Sequence, residues 1–322
     1  MSLFHRSMKL AASIAPPAGW EEACLSRGRL FQAPKWQQLL ANGFGSRTVY
    51  AWDSSMADGM AITVFHAGPF RIAYVGFPVG GTLSGCASSP SQLAALMQLQ
   101  APIRLDLLRV PVSAFSDSAA MDLQCGEAPE TAILRLQEWD VRHSKKLHRD
   151  VKKARHSDLQ VKPAFAPSHG DQLYRLYRDT VARHGGALRY NAAYFRALVE
   201  LSISQPGVRC LLAAAGGVIG GFVVVVKDGT TAYYLHGATV PAMKHLGVTD
   251  LLLLEGIEWA RSQGAEVFNL MSSPPGQSSL IRYKEKWGGV TGTNRTYELV
   301  IRRLPTRLFR AAVWLQQHLL RR

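Results

Sequence analysis

The stretch GAEVFNLMSSPPGQSSLIRYKEKWGG, residues 264–289, decides how the rest of this chain is arranged. Its apolar run, residues 267–271, is typical of a short buried strand. The serines, prolines and glycine of residues 272–276 cannot continue that strand and predict a loop. Functional side chains are common at such a junction, because loops carry them on a rigid scaffold.

A helix is predicted directly after this loop. Ser278 or Ser279 can cap its N-terminus, and a pair of glycines at 288 and 289 ends it. Helical spacing places three large residues on one face: Leu280, Tyr283 and Trp287. Lys284 follows Leu280 by one turn, so we expect its side chain near the buried side of the helix.

The residues before this stretch predict a meander of strands, a loop and a second helix. Three strand-like runs between residues 210 and 235 alternate with Gly-Gly and Asp-Gly turns, which indicates antiparallel pairing. The helix begins with Thr249 as its cap, and the four leucines of residues 251–254 indicate that its first half is buried nearly all round.

The first half of the chain contains further short strands. The predicted ones are residues 48–52, 59–65, 71–76 and 104–109. Residues 113–129 have a mixed composition and predict a loop. At the N-terminus, the apolar patch of residues 10–15 is shorter than the ~7–15 residues of the hydrophobic region of a signal peptide, so we expect residues 1–19 to be a mobile leader.

A strongly basic helix is predicted between the two halves, within residues 136–156. Its narrow apolar stripe consists of Leu147, Val151 and Ala154, and most of its other residues are Arg, Lys or His. Two interpretations are open. The helix is either a solvated linker docked by its stripe, or a phosphate-binding surface for substrate or RNA.

Length and composition limit the classes of protein. The 322 residues exceed what one hydrophobic core usually serves, so two domains are expected. A net charge of +14 implies attraction to phosphate-rich partners, which include nucleic acid, nucleotide cofactors and an anionic membrane face. The four cysteines lie far apart, which fits a reducing cytosol, so we expect a cytoplasmic protein. No apolar run approaches the ~20 residues of a membrane-spanning helix.

Covalent and metal mechanisms find no support in the sequence. The motifs G-x-S-x-G, H-E-x-x-H and the P-loop do not occur, and the ten histidines form no ligand cluster. The segment GTLSG, residues 81–85, has its serine one place too late for a nucleophile elbow. We therefore predict no metal site.

Three motifs occur in an order that resembles a known family. They are FQAPKW at residues 31–36, the basic helix near residues 142–155, and the strand, loop and LIRYKEKWGG element of residues 269–289. Together they resemble the FemAB-like and BioF2-like branch of the GNAT acyltransferase superfamily. The resemblance implies an α/β (α+β) fold of two tandem GNAT-like domains, each a mixed, mostly antiparallel sheet flanked by helices.

The resemblance also implies domain limits and a function. We expect an N-terminal domain at 1–135, a linker helix at 136–160, a catalytic domain at 161–304 and a basic tail helix at 305–322. The implied activity is transfer of an acyl or aminoacyl group, from acyl-CoA or aminoacyl-tRNA, to an amine of a cell-envelope or exopolysaccharide-related acceptor. The amine attacks directly, without a metal. The alternative is a non-catalytic, degenerate GNAT module that binds RNA or an anionic membrane.

Catalytic roles follow from the same resemblance. Lys284 would hold a donor phosphate or the developing oxyanion, and the alternative for it is a solvated helix lysine. His236 and Tyr234 would orient the amine or relay its proton, and the alternative is that both are buried polar groups with satisfied hydrogen bonds.

Eight further residues are expected to bind the donor or the substrate. The predicted donor-binding residues are Gly247, Val248, Thr249, Asn269 and Ser272. The predicted substrate-binding residues are Arg189, Tyr190 and Trp36. An ordinary surface arginine is the alternative for Arg189, whose guanidinium could otherwise grip a phosphate or carboxylate.

Two features leave the donor and the location open. The loop MKHLGVTD, residues 243–250, keeps one glycine of the usual acetyl-CoA pattern and places Asp250 where a phosphate would be repelled. In the tail, apolar residues share one face with arginines at its borders. This tail either lies on an anionic bilayer, at the inner face of the cell membrane, or packs on the domain as a terminal helix.

Overall fold

The computed structural model describes residues 9–85, 90–116, 125–274 and 276–319. Its strands are β1 Ala11–Ser13, β2 Arg47–Trp52, β3 Gly59–Ala67, β4 Phe70–Val75, β5 Leu107–Val112, β6 Cys125–Ile133, β7 Gln160–Pro163, β8 Val208–Ala215, β9 Val218–Asp228, β10 Thr231–Thr239, β11 Val267–Ser272 and β12 Val290–Val300. Its α-helices are α1 Trp20–Ser26, α2 Pro34–Phe44, α3 Pro90–Met97, α4 Lys145–Arg155, α5 His169–Arg183, α6 Ala192–Ser204, α7 Val248–Ser262, α8 Ser278–Lys286 and α9 Arg303–Leu319. None of these helices is both long and apolar enough to cross a membrane.

The chain forms two compact units, and their limits differ from the predicted ones. Unit 1 contains the described residues of 1–41, 45–127 and 294–322, and unit 2 contains residues 42–44 and 128–293. The C-terminal segment belongs to unit 1 because β12 pairs with β5 from Arg295 to Val300. The predicted linker, residues 136–160, is an integral part of unit 2.

Unit 1 is built on strands in the order β1, β2, β3, β4, β5 and β12. Its core lies on β2 to β5 and includes Val49, Ile62 and Leu108, none of which is exposed. The prediction of a mobile leader is wrong for residues 11–13, because β1 pairs with β2 through Ala11 and Trp52. Residues 1–8 lie outside the described residues.

Unit 2 has the strand order β6, β11, β10, β9, β8 and β7. The prediction of a loop at 113–129 is wrong where the chain forms β6. Residues 117–124 lie outside the described part of the chain. The leucines 251–254 of α7 are buried in the core of this unit, as predicted. The stripe Leu147, Val151 and Ala154 is also buried, so α4 packs on unit 2 and exposes its cations to solvent. The predicted mixed α/β class with mostly antiparallel sheets is confirmed.

The strands β10 and β11 separate part of the way along unit 2. They pair in parallel at Thr231, Ala232 and Tyr233 of β10, and the last partner on β11 is Asn269. Beyond this point β10 continues beside β9, with a register shift between Tyr234 and His236. The separation opens a space between the two strands, and α7 and α8 lie beside it.

Candidate active site

A cavity of 480 Å³ occupies the space where β10 and β11 separate. Strand residues on its wall include Tyr234, Thr239 and Leu270. Helix residues complete the wall: Gly247, Thr249, Asp250, Leu253, Leu280, Tyr283 and Lys284. Predicted site residues from three separate parts of the sequence therefore meet in one cavity of unit 2.

The N-terminus of α7 opens on this cavity. Gly247 precedes the helix with φ of 80°, and no side chain caps the first turn. A free helix N-terminus favours an anion, through unpaired N–H groups and the helix dipole. A Cβ at Gly247 would lie 2.7 Å from the Cβ of Ala154, so α4 packs directly against this helix start. Val248 contributes only backbone here, because its side chain is buried in the core.

The carboxylate of Asp250 is engaged by neighbouring side chains. The Tyr283 hydroxyl donates a hydrogen bond to Asp250 Oδ1 at 3.1 Å, and Lys286 Nζ lies 3.7 Å from the same oxygen. Burial, and then the charge of Asp250, hold the pKa of Tyr283 well above its ordinary value, so the phenol keeps its proton. Lys286 also pairs with Asp150 at 3.0 Å, so it offsets the repulsion of a phosphate by Asp250 only in part.

Lys284 lies in the cavity wall with only 6% of its surface exposed. Its Nζ donates to the carbonyl oxygen of Met271 at 2.7 Å and to Ser273 Oγ at 2.8 Å. Burial lowers the pKa of Lys284 to about 8, against the opposing effect of the Glu130 carboxylate. An ammonium has three N–H donors, so these two bonds leave one for a ligand.

Asn269 belongs to the support of this lysine rather than to the cavity wall. It is buried, its Nδ2 donates to Glu130 Oε1 at 2.9 Å, and its Oδ1 accepts from the Met271 N–H at 2.7 Å. Met271 has φ of 65°, a left-handed conformation that side chains other than glycine rarely adopt. Asn269 accepts from the backbone N–H of Met271, and Lys284 donates to its carbonyl oxygen. These two bonds hold the carbonyl towards Lys284.

Tyr234 presents its hydroxyl to the cavity. The hydroxyl lies over the Cα of Gly237, where a Cβ would clash with it. Burial raises the pKa of Tyr234 to about 12, so the phenol is protonated at neutral pH. Tyr234 can therefore donate a proton or a hydrogen bond to a bound ligand.

His236 does not reach the cavity, because the register shift after Tyr234 turns it to another side of the strand. Its Nε2 lies 2.9 Å from the Tyr194 hydroxyl, and its ring packs 4.6 Å from that of Tyr190. Burial lowers the pKa of His236 to about 3, which keeps the imidazole neutral. His236 thus lies in an aromatic cluster that also contains Tyr177 and Phe195, and its predicted catalytic role stays a prediction.

The structure brings none of the predicted substrate-binding residues to the cavity. Tyr190 lies in the same aromatic cluster as His236. Arg189 is exposed, and its backbone N–H donates to the Tyr177 hydroxyl. Trp36 is fully buried in unit 1, where Nε1 donates to the carbonyl of Phe77, so it offers no surface to a substrate. Among the donor-binding predictions, Ser272 is exposed on β11 outside the cavity wall.

Sequence reasoning missed the cations at the rim of the cavity. Arg183, at the end of α5, and Lys244, before α7, are exposed and line the opening. Arg183 Nη2 donates to Thr180 Oγ1 at 3.1 Å. Surface Arg and Lys have no distinctive sequence pattern, and only the fold brings these two near the N-terminus of α7.

Comparison with known families identifies the domain that holds this cavity. Residues 141–285 match the model of the acetyltransferase (GNAT) domain family. This segment includes α4, α5, α7, the strands that separate, and most of α8. A comparison with curated proteins found no significant match.

Solved structures with a similar fold cover nearly the whole chain. The structure of FemX has a TM-score of 0.64 at 11% identity, covering 94% of this chain and 99% of that chain. L-PGS from Bacillus licheniformis has a TM-score of 0.56 at 13% identity, covering 94% and 97%. The C-terminal domain of a putative lysylphosphatidylglycerol synthetase from Agrobacterium fabrum has a TM-score of 0.53 at 13% identity, covering 92% and 96%.

Residues 141–285 therefore carry a GNAT domain, which confirms the predicted GNAT resemblance, and the chain has the fold of FemX. The domain family indicates an acyltransferase.

Proposed function

We propose that this protein is an N-acyltransferase that binds a phosphate-bearing acyl donor at the N-terminus of α7. The 480 Å³ cavity between β10 and β11 carries this proposal, because it joins a free helix N-terminus to Tyr234 and Lys284. The donor phosphate would lie at Gly247, Val248 and Thr249, and its acyl group would enter the cavity.

The reaction needs few protein groups. The acceptor amine attacks the acyl carbon, a C–N bond forms, and the bond to the donor's sulfur or ribose oxygen breaks. Tyr234 would give its proton to the leaving group and take one from the attacking nitrogen, and Lys284 would stabilise the oxyanion with its remaining N–H. Positioning alone can contribute about 7–11 kcal/mol to such a step, so no metal is required.

The donor is either acyl-CoA or aminoacyl-tRNA, and α4 favours the RNA. This helix packs against Gly247 and exposes a row of cations beside the helix start: Lys145, Lys146, Arg149, Lys152, Lys153 and Arg155. An RNA bound at the cavity would extend over such a surface and gain affinity from it.

The acceptor and the location follow from the family rather than from the cavity. FemX and L-PGS share this fold, and we infer a cell-envelope or exopolysaccharide-related amine as the acceptor, met by a cytoplasmic enzyme. An amino sugar and a lysine-containing peptide represent the two kinds of amine in an assay.

Calorimetric titration with acetyl-CoA, a longer acyl-CoA, aminoacyl-tRNA and uncharged tRNA tests the donor site. Reversing the rim charges with Arg183→Glu and Lys244→Glu should weaken donor binding about tenfold or more. Lys162→Glu, in the exposed part of β7, is the matched control and should leave it unchanged. Equal effects of the rim and control variants would contradict the assigned site.

A second pair of variants distinguishes the binding of aminoacyl-tRNA from the binding of acyl-CoA. Lys152→Glu with Lys153→Glu should weaken aminoacyl-tRNA binding and leave acyl-CoA binding unchanged, because only RNA extends over α4. If no donor binds and no amide product is detected by mass spectrometry, while α4 still binds RNA, the protein is instead a non-catalytic RNA-binding GNAT module.

A further inference from the structure

The C-terminal helix α9 has one face packed on unit 1 and an opposite face exposed. On the packed face, Thr306 Oγ1 donates to the carbonyl of Asp106 at 2.9 Å, and the Phe309 ring lies 5.7 Å from that of Phe70. Arg310 pairs with Glu298 at 2.6 Å. These contacts fix how the helix is rotated about its axis.

The exposed face of α9 is apolar. Helical spacing aligns Leu304, Leu308, Ala311 and Leu315, all of which are exposed. Leu304 is 68% exposed and Leu308 54%, so the stripe is a contiguous apolar patch on the surface rather than a single exposed leucine. Trp314, also exposed, borders this stripe on one side.

The charge around the stripe is positive. Arg303 and Arg307 are exposed beside it, and residues 303–319 contain no acidic residue. Arginine beside an apolar helical face, with tryptophan at its edge, is the pattern of a helix that lies in a membrane interface. A soluble protein partner does not require this excess of positive charge.

A second cluster of cations adjoins the start of α9. Three arginines, Arg47, Arg71 and Arg104, line a cavity of 290 Å³ in unit 1 together with His66 and Ile103. Burial, and then the charges of Arg71 and Arg47, lower the pKa of His66. The arginines make the potential in this cavity positive.

Asp106 connects this cavity to α9. It is fully buried and accepts hydrogen bonds from Arg104 at 2.9 Å and from the Arg71 backbone N–H at 2.9 Å. Arg302, next to the first residue of α9, lies 3.5 Å from the same carboxylate. The cation-lined cavity is thus joined through a single side chain to the N-terminus of α9.

We propose that this surface of unit 1 docks on an anionic phospholipid membrane. The stripe Leu304, Leu308, Ala311 and Leu315 enters the interface between headgroups and acyl chains, and Arg303 and Arg307 remain at the headgroups. The cavity of Arg47 and Arg71 holds a lipid phosphate. This places the acyltransferase at a lipid surface through α9.

Vesicle co-sedimentation of the full chain tests the surface. Binding is expected to vesicles of phosphatidylcholine and phosphatidylglycerol in equal parts, and not to phosphatidylcholine alone. Added salt should weaken binding, because it screens exposed charges. Leu304→Glu with Leu308→Glu should lower the affinity about tenfold or more. Ile203→Glu, on α6 with a matched exposure of 53%, should not change it.

A charge-reversal pair tests the basic part separately. Arg47→Glu with Arg303→Glu should weaken binding and flatten its salt dependence, while circular dichroism shows an unchanged fold. Equal binding to neutral and anionic vesicles would overturn the proposal, as would an equal effect of the Ile203→Glu control. Binding of RNA to this surface, with no binding to vesicles, would also overturn it. Donor affinity is not expected to change in these variants, so this test is independent of the catalytic proposal.

Discussion

Each unit contains a pair of parallel strands, and the two pairs differ in what lies at their point of separation. In unit 1, β4 and β5 pair at three positions, and the last pair is Tyr74 with Arg109. There Arg109 Nη1 donates to the Tyr74 hydroxyl at 2.6 Å, and its Nε donates to Glu298 at 2.9 Å. The strands are thereby tied together by side chains.

In unit 2, β10 and β11 also pair at three positions, and the last pair is Tyr233 with Asn269. Asn269 turns its bonds towards Glu130 and Met271, away from β10. The space beyond it stays open as the cavity beside α7. The two pairs of parallel strands thus differ in their side-chain hydrogen bonds. In unit 1 these bonds link the strands where the pairing ends, and in unit 2 they point elsewhere and leave a candidate binding site.

The largest effect is expected from Tyr234→Phe, in the cavity where β10 and β11 separate. Loss of a proton donor should lower the transfer rate about 10²–10⁴-fold with little change in donor affinity. Tyr74→Phe, at the end of the β4 and β5 pairing in unit 1, is the control and should leave the rate unchanged. Steady-state kinetics with each donor measure both variants. A rate for Tyr234→Phe equal to that of the native protein would remove this tyrosine from the mechanism.

Lys284→Met should lower the rate about 10²–10³-fold, as loss of one oxyanion donor does. The pKa of Lys284 is about 8, so the native ammonium loses its proton as pH rises through this value. The ratio of native to variant rate should therefore fall above about pH 8. Rates measured from pH 6 to 10 give this ratio, and a constant ratio would show that Lys284 acts without its charge.

His236→Phe should affect stability rather than rate, because His236 lies outside the cavity. It leaves the buried Tyr194 hydroxyl unpaired, at a cost of about 1–3 kcal/mol in the free energy of unfolding. Adding Tyr194→Phe should recover part of this loss. Urea unfolding measures these energies, and a large loss of rate with unchanged stability would restore the catalytic role predicted from sequence.

The same histidine gives a pH dependence with a definite sign. Its pKa is about 3 in the folded protein and 6.5 unperturbed, so between these values the unfolded chain binds more protons. Its contribution to stability is therefore complete above about pH 6.5 and is lost as pH falls towards 3. His236→Phe should make the unfolding free energy less sensitive to pH in this window.

The smallest effect is expected from Arg109→Leu, at the end of the β4 and β5 pairing. Glu298 keeps its bond to Arg310, so the loss should be about 1 kcal/mol in unfolding free energy, with no change in donor affinity. Thermal unfolding and calorimetric titration measure the two quantities. A change in donor affinity would show that the end of the β4 and β5 pairing also contributes to donor binding.

Local patterns were sufficient to predict much of unit 2. The strand at 267–272, the buried leucines of α7 and the stripe of α4 each depend on side-chain spacing within one element. Lys284 was correctly expected near the buried side of its helix. Its bonds to Met271 and Ser273 were not predictable, because they need the left-handed backbone of Met271.

Features that depend on register or on distant segments escaped prediction. Strict alternation along β10 would put His236 on the same side as Tyr234, and only the register shift separates them. The strand β6 contains Gly126 and Pro129, which locally indicate a loop. The unit limits depend on β12 pairing with β5, a contact between residues about 190 positions apart, since Arg109 faces Glu298.

The discontinuity of unit 1 has a consequence during synthesis on the ribosome. Nearly all of unit 2 is one continuous segment, so it can fold once residue 293 has emerged. Unit 1 must wait for residues 294–322, since β12 completes its strand order and α9 covers Asp106. The nascent N-terminal segment therefore stays incomplete for most of translation and leaves an unpaired strand edge open to aggregation during that time.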